Sequence, residues 1–250
     1  MSGTLDLWKG RIGWIRPSSA DRSLEDFFRM TPADVDLIVC TTMWSLKIVH
    51  AGAFDAAGFA AMRGEILQTV RLLIAEQAPD FIAINGDLLQ SAMGPRWAQE
   101  LGDSITAEVG TPTTTAMAAL TAALGHLGVR RVAVGTPFRA DQNAHVQRYL
   151  EQAGFAVTAI AGYPTHTPAD IRALGPETPY LLGKQVYAAQ PGAEAVFLPC
   201  STWRGATEAI ARLEAELDVP VVTTYSPILW QALRTFHYPT PMHGFGRLLE

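Results

Sequence analysis

Charge is what this sequence has least of. Only 17% of its 250 residues are charged, and 19 Lys and Arg stand against 24 Asp and Glu, a formal net charge of −5. No Lys/Arg run is present, so the basic surface that neutralises a phosphate backbone is missing, which argues against nucleic-acid binding. Cysteine is scarcer still. Cys40 and Cys200 are the only two, too few for a disulfide framework. No apolar run approaches a membrane span, and the N-terminus lacks a basic region followed by an apolar stretch. The expectation is a soluble, cytoplasmic chain with no membrane or nucleic-acid partner. Motifs are missing too. The six histidines lack metal-ligand spacing, no Gly-x-Ser-x-Gly elbow occurs, and neither Gly-x-Gly-x-x-Gly nor a Walker pattern is found. No metal and no cofactor are expected.

What is present is apolar material, 48% of the chain, arranged as alternating strands and helices. Short apolar runs at Arg11–Arg16, Val35–Cys40, Phe81–Ile84, Val129–Val134, Phe155–Ile160, Val196–Leu198 and Val219–Thr224 read as strands. Stripes at helical spacing, such as Met62, Ile66, Val70 and Ile74, read as helices. Further helices are expected at Leu24–Phe28, from Pro95, and over Ala116–Leu127, Asp141–Gln152, Pro168–Leu174, Tyr180–Ala189 and Pro227–Thr235. Thr111–Thr115 reads as a polar capping segment, residues 1–10 as a loose arm and the last dozen residues as an irregular tail. Such alternation predicts parallel sheets covered on both faces. The order of elements also echoes itself. Asn85-Gly86-Asp87 in one half corresponds to Pro199-Cys200-Ser201 in the other, and two similar lobes bring these corners to either side of a cleft. The expected lobes are residues 1–112 with 218–250, and residues 113–217.

Cys200 is the focus of the second half. A strand ends before it, and Ala206, Ile210, Leu213 and Leu217 begin a helix after it, with Ser201 or Thr202 as the natural N-cap. A helix N-terminus at the carboxyl end of a strand stabilises an anion, either a thiolate or a substrate carboxylate. The alternative is a small buried apolar residue.

Several stretches resemble the aspartate/glutamate racemase superfamily, on the maleate isomerase and arylmalonate decarboxylase branch. They are Arg11–Ser19, Pro112–Ala116, Leu127–Phe138, Leu198–Ser201 and Val221–Trp230. The resemblance implies an α/β fold of two pseudo-symmetric Rossmann-like lobes, each a parallel sheet flanked by helices, with the active site between them and no cofactor or metal. It also implies two catalytic cysteines in racemases and isomerases, one from each lobe. The second maps onto Cys200. The first maps onto Gly86, as in the decarboxylases. Other positions depart from the pattern: Asp87 and Leu88 replace small hydroxyl residues, Phe138 replaces a Tyr and Ala20 replaces an Asn.

The expected catalytic residues are Cys200, as proton donor to an enediolate, and Asp87, as a second acid/base, as acceptor for a substrate hydroxyl or amine, or simply as a helix cap. Expected substrate contacts are Ser18, Ser19, Gly86, Thr114, Thr115, Thr136, Phe138, Ser201 and Thr202, although hydroxyl residues at such places also make turns and caps. His166, in a Pro-rich loop, is a candidate cover for the cleft or an incidental surface histidine. The leading expectation is a cofactor-independent decarboxylase acting on a small carboxylic acid. The alternatives are a racemase or cis-trans isomerase using Asp87, and a catalytically silent carboxylate-binding protein. Assembly into a homo-oligomer is left open.

Overall fold

The computed structural model describes residues 8–17, 23–42, 56–199 and 202–250. Among them are two four-stranded parallel sheets. The first contains β1 (Gly10–Pro17), β2 (Val35–Thr42), β3 (Phe81–Ile84) and β4 (Thr113–Thr115), in the order β2-β1-β3-β4. The second contains β5 (Arg131–Thr136), β6 (Ala156–Gly162), β7 (Ala195–Leu198) and β8 (Val221–Thr223), in the order β6-β5-β7-β8. The orders are the same, so the internal echo is a true structural repeat. The four residues of β3 and of β7 are all buried, as parallel strands covered on both faces require.

The helices follow their apolar stripes. They are α1 (Ser23–Met30), α2 (Ala56–Gln77), α3 (Asp87–Met93), α4 (Pro95–Val109), α5 (Ala116–His126), α6 (Ala140–Gln152), α7 (Pro168–Ala173), α8 (Thr178–Ala189), α9 (Ala206–Leu217) and α10 (Tyr225–Thr235). Met62, Ile66 and Val70 of α2 pack with Ile15, Ile82 and Ile84 of the first sheet. At about 1.5–3 kcal/mol per fully buried large aliphatic side chain, such stripes hold helix to sheet.

Three expectations need correction. Thr113–Thr115 is a strand as well as a cap, because its β-branched residues pair with Ile82, Ala83 and Ile84. The lobe boundaries therefore do not follow the strands: β4 completes the first sheet, and β8 pairs with β7 in the second. The helices after these edge strands are what cross over. Tyr225 at the head of α10 packs with Trp14 and Phe27 of the first lobe, and Phe236 just past its end meets Phe81. The N-cap of α9 is Gly205 at φ 90°, not Ser201 or Thr202. A Cβ there would lie 2.0 Å from the Pro176 carbonyl oxygen, so only glycine fits the turn. The last dozen residues lack helix and strand, as expected, and they are docked: Leu248 and Leu249 are buried, and the Arg247 side chain bonds Asp218.

Candidate active site

In open parallel sheets, ligands collect outside the carboxyl ends of the strands. In the sequence, Gly86 comes two residues after the end of β3, and Cys200 two residues after the end of β7, the equivalent strand of the repeat. Cys200, Ser201, Ser18 and Ser19 lie outside the described residues. The residues flanking the Cys200 corner are firmly held. Leu198, Pro199 and Thr202 are buried, and the Trp203 indole N–H donates to Thr178 Oγ1 at 2.9 Å.

The opposite corner is fully described. Gly86, at φ 136°, precedes α3, and its carbonyl accepts from the Gln90 N–H at 3.0 Å. A side chain at that φ is strained, which suits glycine. Asp87 opens α3 and is 6% exposed. Its Oδ2 accepts a hydrogen bond from Thr224 Oγ1 at 2.5 Å. Thr224 directly follows β8, so this bond joins the carboxyl end of one sheet to that of the other. The two strand-end clusters face one another here. Gln90 fixes the geometry behind Asp87: its Nε2 donates to the Ile84 carbonyl and its Oε1 accepts from the Met117 N–H, both at 2.9 Å.

The expected threonines are all buried, and the hydroxyls of Thr114, Thr115 and Thr136 are engaged within the fold. Thr115 Oγ1 donates to the Ala98 carbonyl at 3.1 Å and accepts from the Ala118 N–H, capping α5. Thr136 Oγ1 donates to Asn143 Oδ1 and accepts from the Phe138 N–H, shaping the turn after β5. Thr114 Oγ1 bonds the Thr115 carbonyl at 3.3 Å. Phe138 is 5% exposed and packs within the core cluster containing Val134, Val146 and Tyr149. His166 is exposed, and its backbone N–H donates to Asp170 in the cap of α7. Cys40 lies on β2 beside Ile15, where burial pushes its thiol pKa up and keeps it a thiol.

One residue of this region was missed in the sequence. Arg16 ends the apolar strand β1 with only 1% exposure, level with Thr41 on β2 and next in line with Asn85 after β3. Its guanidinium carbon lies 5.4 Å from the Trp14 ring centroid. A charged residue closing an otherwise apolar run was the available signal, since arginine is seldom fully buried without a reason. Among the described residues, no group of three or more His, Cys, Asp or Glu is placed to hold a metal ion, and no helix is long and apolar enough to cross a membrane. A groove of about 590 Å³ lined by His126, Trp230, Arg234 and His237 lies at the other ends of α5 and α10, and none of the expected site residues lines it.

The family model described as arylmalonate decarboxylase matches residues 33–249. The chain belongs to the arylmalonate decarboxylase family. It is 25% identical over 240 residues to the arylmalonate decarboxylase of Bordetella bronchiseptica, covering 96% of each chain. It is 26% identical over 207 residues to the maleate isomerase of Nocardia farcinica (strain IFM 10152), covering 77% of this chain and 78% of that one. Solved structures agree on the fold. A crystal structure of arylmalonate decarboxylase superposes with TM-score 0.78 at 23% identity, over 96% of this chain and 98% of that one. The Nocardia farcinica maleate cis-trans isomerase bound to TRIS gives TM-score 0.80 at 20% identity, over 96% and 97%.

Proposed function

We propose that this family member is a cofactor-independent decarboxylase of a small malonate-type carboxylic acid, with Cys200 as the proton donor. What supports the reading is an asymmetry in the sequence after two equivalent strands: Gly86 comes two residues after β3, and Cys200 two residues after β7. In such a reaction the bond between the alpha carbon and one carboxylate breaks, and CO2 leaves. The electron pair stays behind as a planar enediolate. The Cys200 thiol gives its proton to the alpha carbon, and the thiolate recovers a proton from water. One donor is enough. Racemisation requires a group on each face, and Asp87 is the residue at the glycine corner able to serve, which is the second reading.

Family membership supports the choice of substrate class. The test is a panel of malonates, amino acids and hydroxy acids assayed for CO2 release and for incorporation of solvent deuterium. Release of CO2 from a malonate, lost in a folded Cys200→Ala variant, is the expected result. No turnover of any compound, together with stoichiometric binding, would favour a silent carboxylate-binding protein instead.

A further inference from the structure

Gln90 is 2% exposed, on a helix of only seven residues. A buried glutamine brings an acceptor and an NH2 group that both need partners, so its place in an interior calls for a reason beyond packing. Its partners come from three elements. The Nε2 group donates to the carbonyl of Ile84, the last residue of β3, and Oε1 accepts from the N–H of Met117, the second residue of α5, both at 2.9 Å. Its own backbone N–H donates to the Gly86 carbonyl at 3.0 Å. A carbonyl needs a donor and an N–H needs an acceptor, so only one orientation of the amide serves both ends.

Main chain and side chain of Gln90 together close the segment from Ile84 to Gln90 into a ring, and Gly86, at φ 136°, stands inside it. Asp87, Gln90 and Ser91 are all buried, at the i, i+3, i+4 spacing of one helical face. Ser91 Oγ donates to the Asp87 carbonyl at 2.6 Å, so the same face holds Asp87 in place. The Met117 N–H, in turn, is one of the groups that a helix start leaves without an intrahelical acceptor. Thr115 takes the N–H of Ala118, and Gln90 takes that of Met117. One side chain therefore joins the end of β3, the start of α3 and the start of α5.

We propose that Gln90 is a positioning residue for the reaction, holding the Gly86–Asp87 corner in fixed register with the start of α5. This rests on the decarboxylase reading, in which that corner backs the face of the enediolate turned away from Cys200. A planar enediolate has two faces and a single donor serves one of them, so the configuration of the product depends on a wall that does not shift. Both ends of the Gln90 amide are engaged within the fold, so it acts through the corner and not on the substrate. A misplacement of about 1 Å costs on the order of 100-fold in rate. Gln90 therefore acts on kcat and on product configuration more than on KM.

The test is CO2 release from methylphenylmalonate, whose product is chiral, by the full chain and its Gln90→Met and Gln90→Glu variants, each compared with wild type at the same pH. Gln90→Met keeps the length and removes both bonds. It should lower kcat about tenfold or more, change KM less, and give product of both configurations. Gln90→Glu keeps the shape. Protonated, its carboxyl can donate to Ile84 and accept from Met117; ionised, it can only accept. Burial favours the protonated form, and buried glutamates ionise by about pH 8–9. Relative kcat and product configuration of Gln90→Glu should therefore match wild type at about pH 5 and fall towards those of Gln90→Met at about pH 9, a titration that glutamine lacks. Wild-type kcat and configuration in a folded Gln90→Met protein would overturn the inference. So would a Gln90→Glu protein that stays impaired at about pH 5 or is unimpaired at about pH 9. If Gln90→Met does not fold, the Gln90→Glu arm decides alone. If wild type releases CO2 while these results go against Gln90, the decarboxylase reading survives. If wild type turns over no malonate, both fall.

Discussion

Thr224 hydroxyl to Asp87 carboxylate, 2.5 Å apart, is the bond that ties the carboxyl end of the second sheet to that of the first. Both residues are buried, Thr224 at 3% and Asp87 at 6% exposure. Losing the donor takes one hydrogen bond from a buried carboxylate. Thr224→Val should therefore cost about 1–3 kcal/mol of stability, and Thr224→Ser should restore most of it. Combining Thr224→Val with Asp87→Asn should cost less than the sum of the two single changes, since they remove the same contact. Denaturant unfolding of the wild type and the four variants measures this, and strict additivity of Thr224→Val and Asp87→Asn would show that the bond contributes nothing.

The two cysteines should differ in reactivity. Cys40 is half-buried on β2, and its thiol is pushed up by desolvation. Cys200 precedes the turn into α9. A small alkylating reagent should modify Cys200 faster than Cys40 at neutral pH, and a malonate should protect Cys200 alone. Peptide mapping after timed labelling reads both rates. Faster labelling of Cys40 would contradict the assignment of the reactive thiol.

Gly205 provides a separate handle on the same corner. Its φ of 90° and the Pro176 carbonyl leave no room for a Cβ. Gly205→Ala should destabilise the protein by about 2 kcal/mol or more, from backbone strain plus overpacking. It should also lower kcat, because the strained turn lies five residues from Cys200. A fully active, equally stable Gly205→Ala protein would mean that the turn yields easily.

Much of this architecture was legible in the sequence because apolar runs and helical stripes report burial directly. Phe81–Ile84 is a strand at the residues expected, and Ala116–His126 a helix with one residue fewer. What escaped was polar yet buried. Helix α3 contains Asp87, Gln90 and Ser91 on its inner side, so its pattern did not read as an apolar stripe. Gln90 earns its place through bonds to Ile84 and Met117, distant in sequence. Thr113–Thr115 looked like a cap, and one of its residues is one, but its strand identity comes from pairing with β3. Arg16 was hidden at the end of a run read only for its apolar residues. The candidate corners themselves came from the internal echo and the family resemblance, whereas the Thr224–Asp87 bond required the fold.

Stability should depend on pH through Asp26. This carboxyl is raised from 3.8 to about 6, first by burial and then by the nearby Glu208 carboxylate, with Arg29 opposing. Arg29 bridges Asp26 at 3.2 Å and Glu208 at 3.0 Å, linking α1 to α9 and so one lobe to the other. The folded carboxyl holds its proton more tightly than the unfolded one. Stability is therefore least burdened below 3.8, and it declines as pH rises through the window up to about 6. Asp26→Asn should melt higher than wild type at pH 7 and converge with it at about pH 4. Parallel melting curves across that range would remove Asp26 from the account.

The last prediction separates decarboxylase from racemase. A decarboxylase needs no base, because departing CO2 generates the carbanion. A racemase must first remove a proton and then return one from the other face. Asp87 is the ionisable residue at the corner equivalent to that of Cys200. Were it that base, enzyme in heavy water would place deuterium at the alpha carbon of recovered, unconverted substrate. Asp87→Asn would then suppress the exchange by on the order of 100-fold or more, the usual scale of general acid–base catalysis. The decarboxylase reading expects deuterium in the product alone, in one configuration, with Asp87→Asn changing substrate affinity and preference more than the chemical step. Mass spectrometry and chiral separation of both pools decide it. Exchange into unconverted substrate that depends on both Cys200 and Asp87 would replace the one-donor mechanism with a two-sided one.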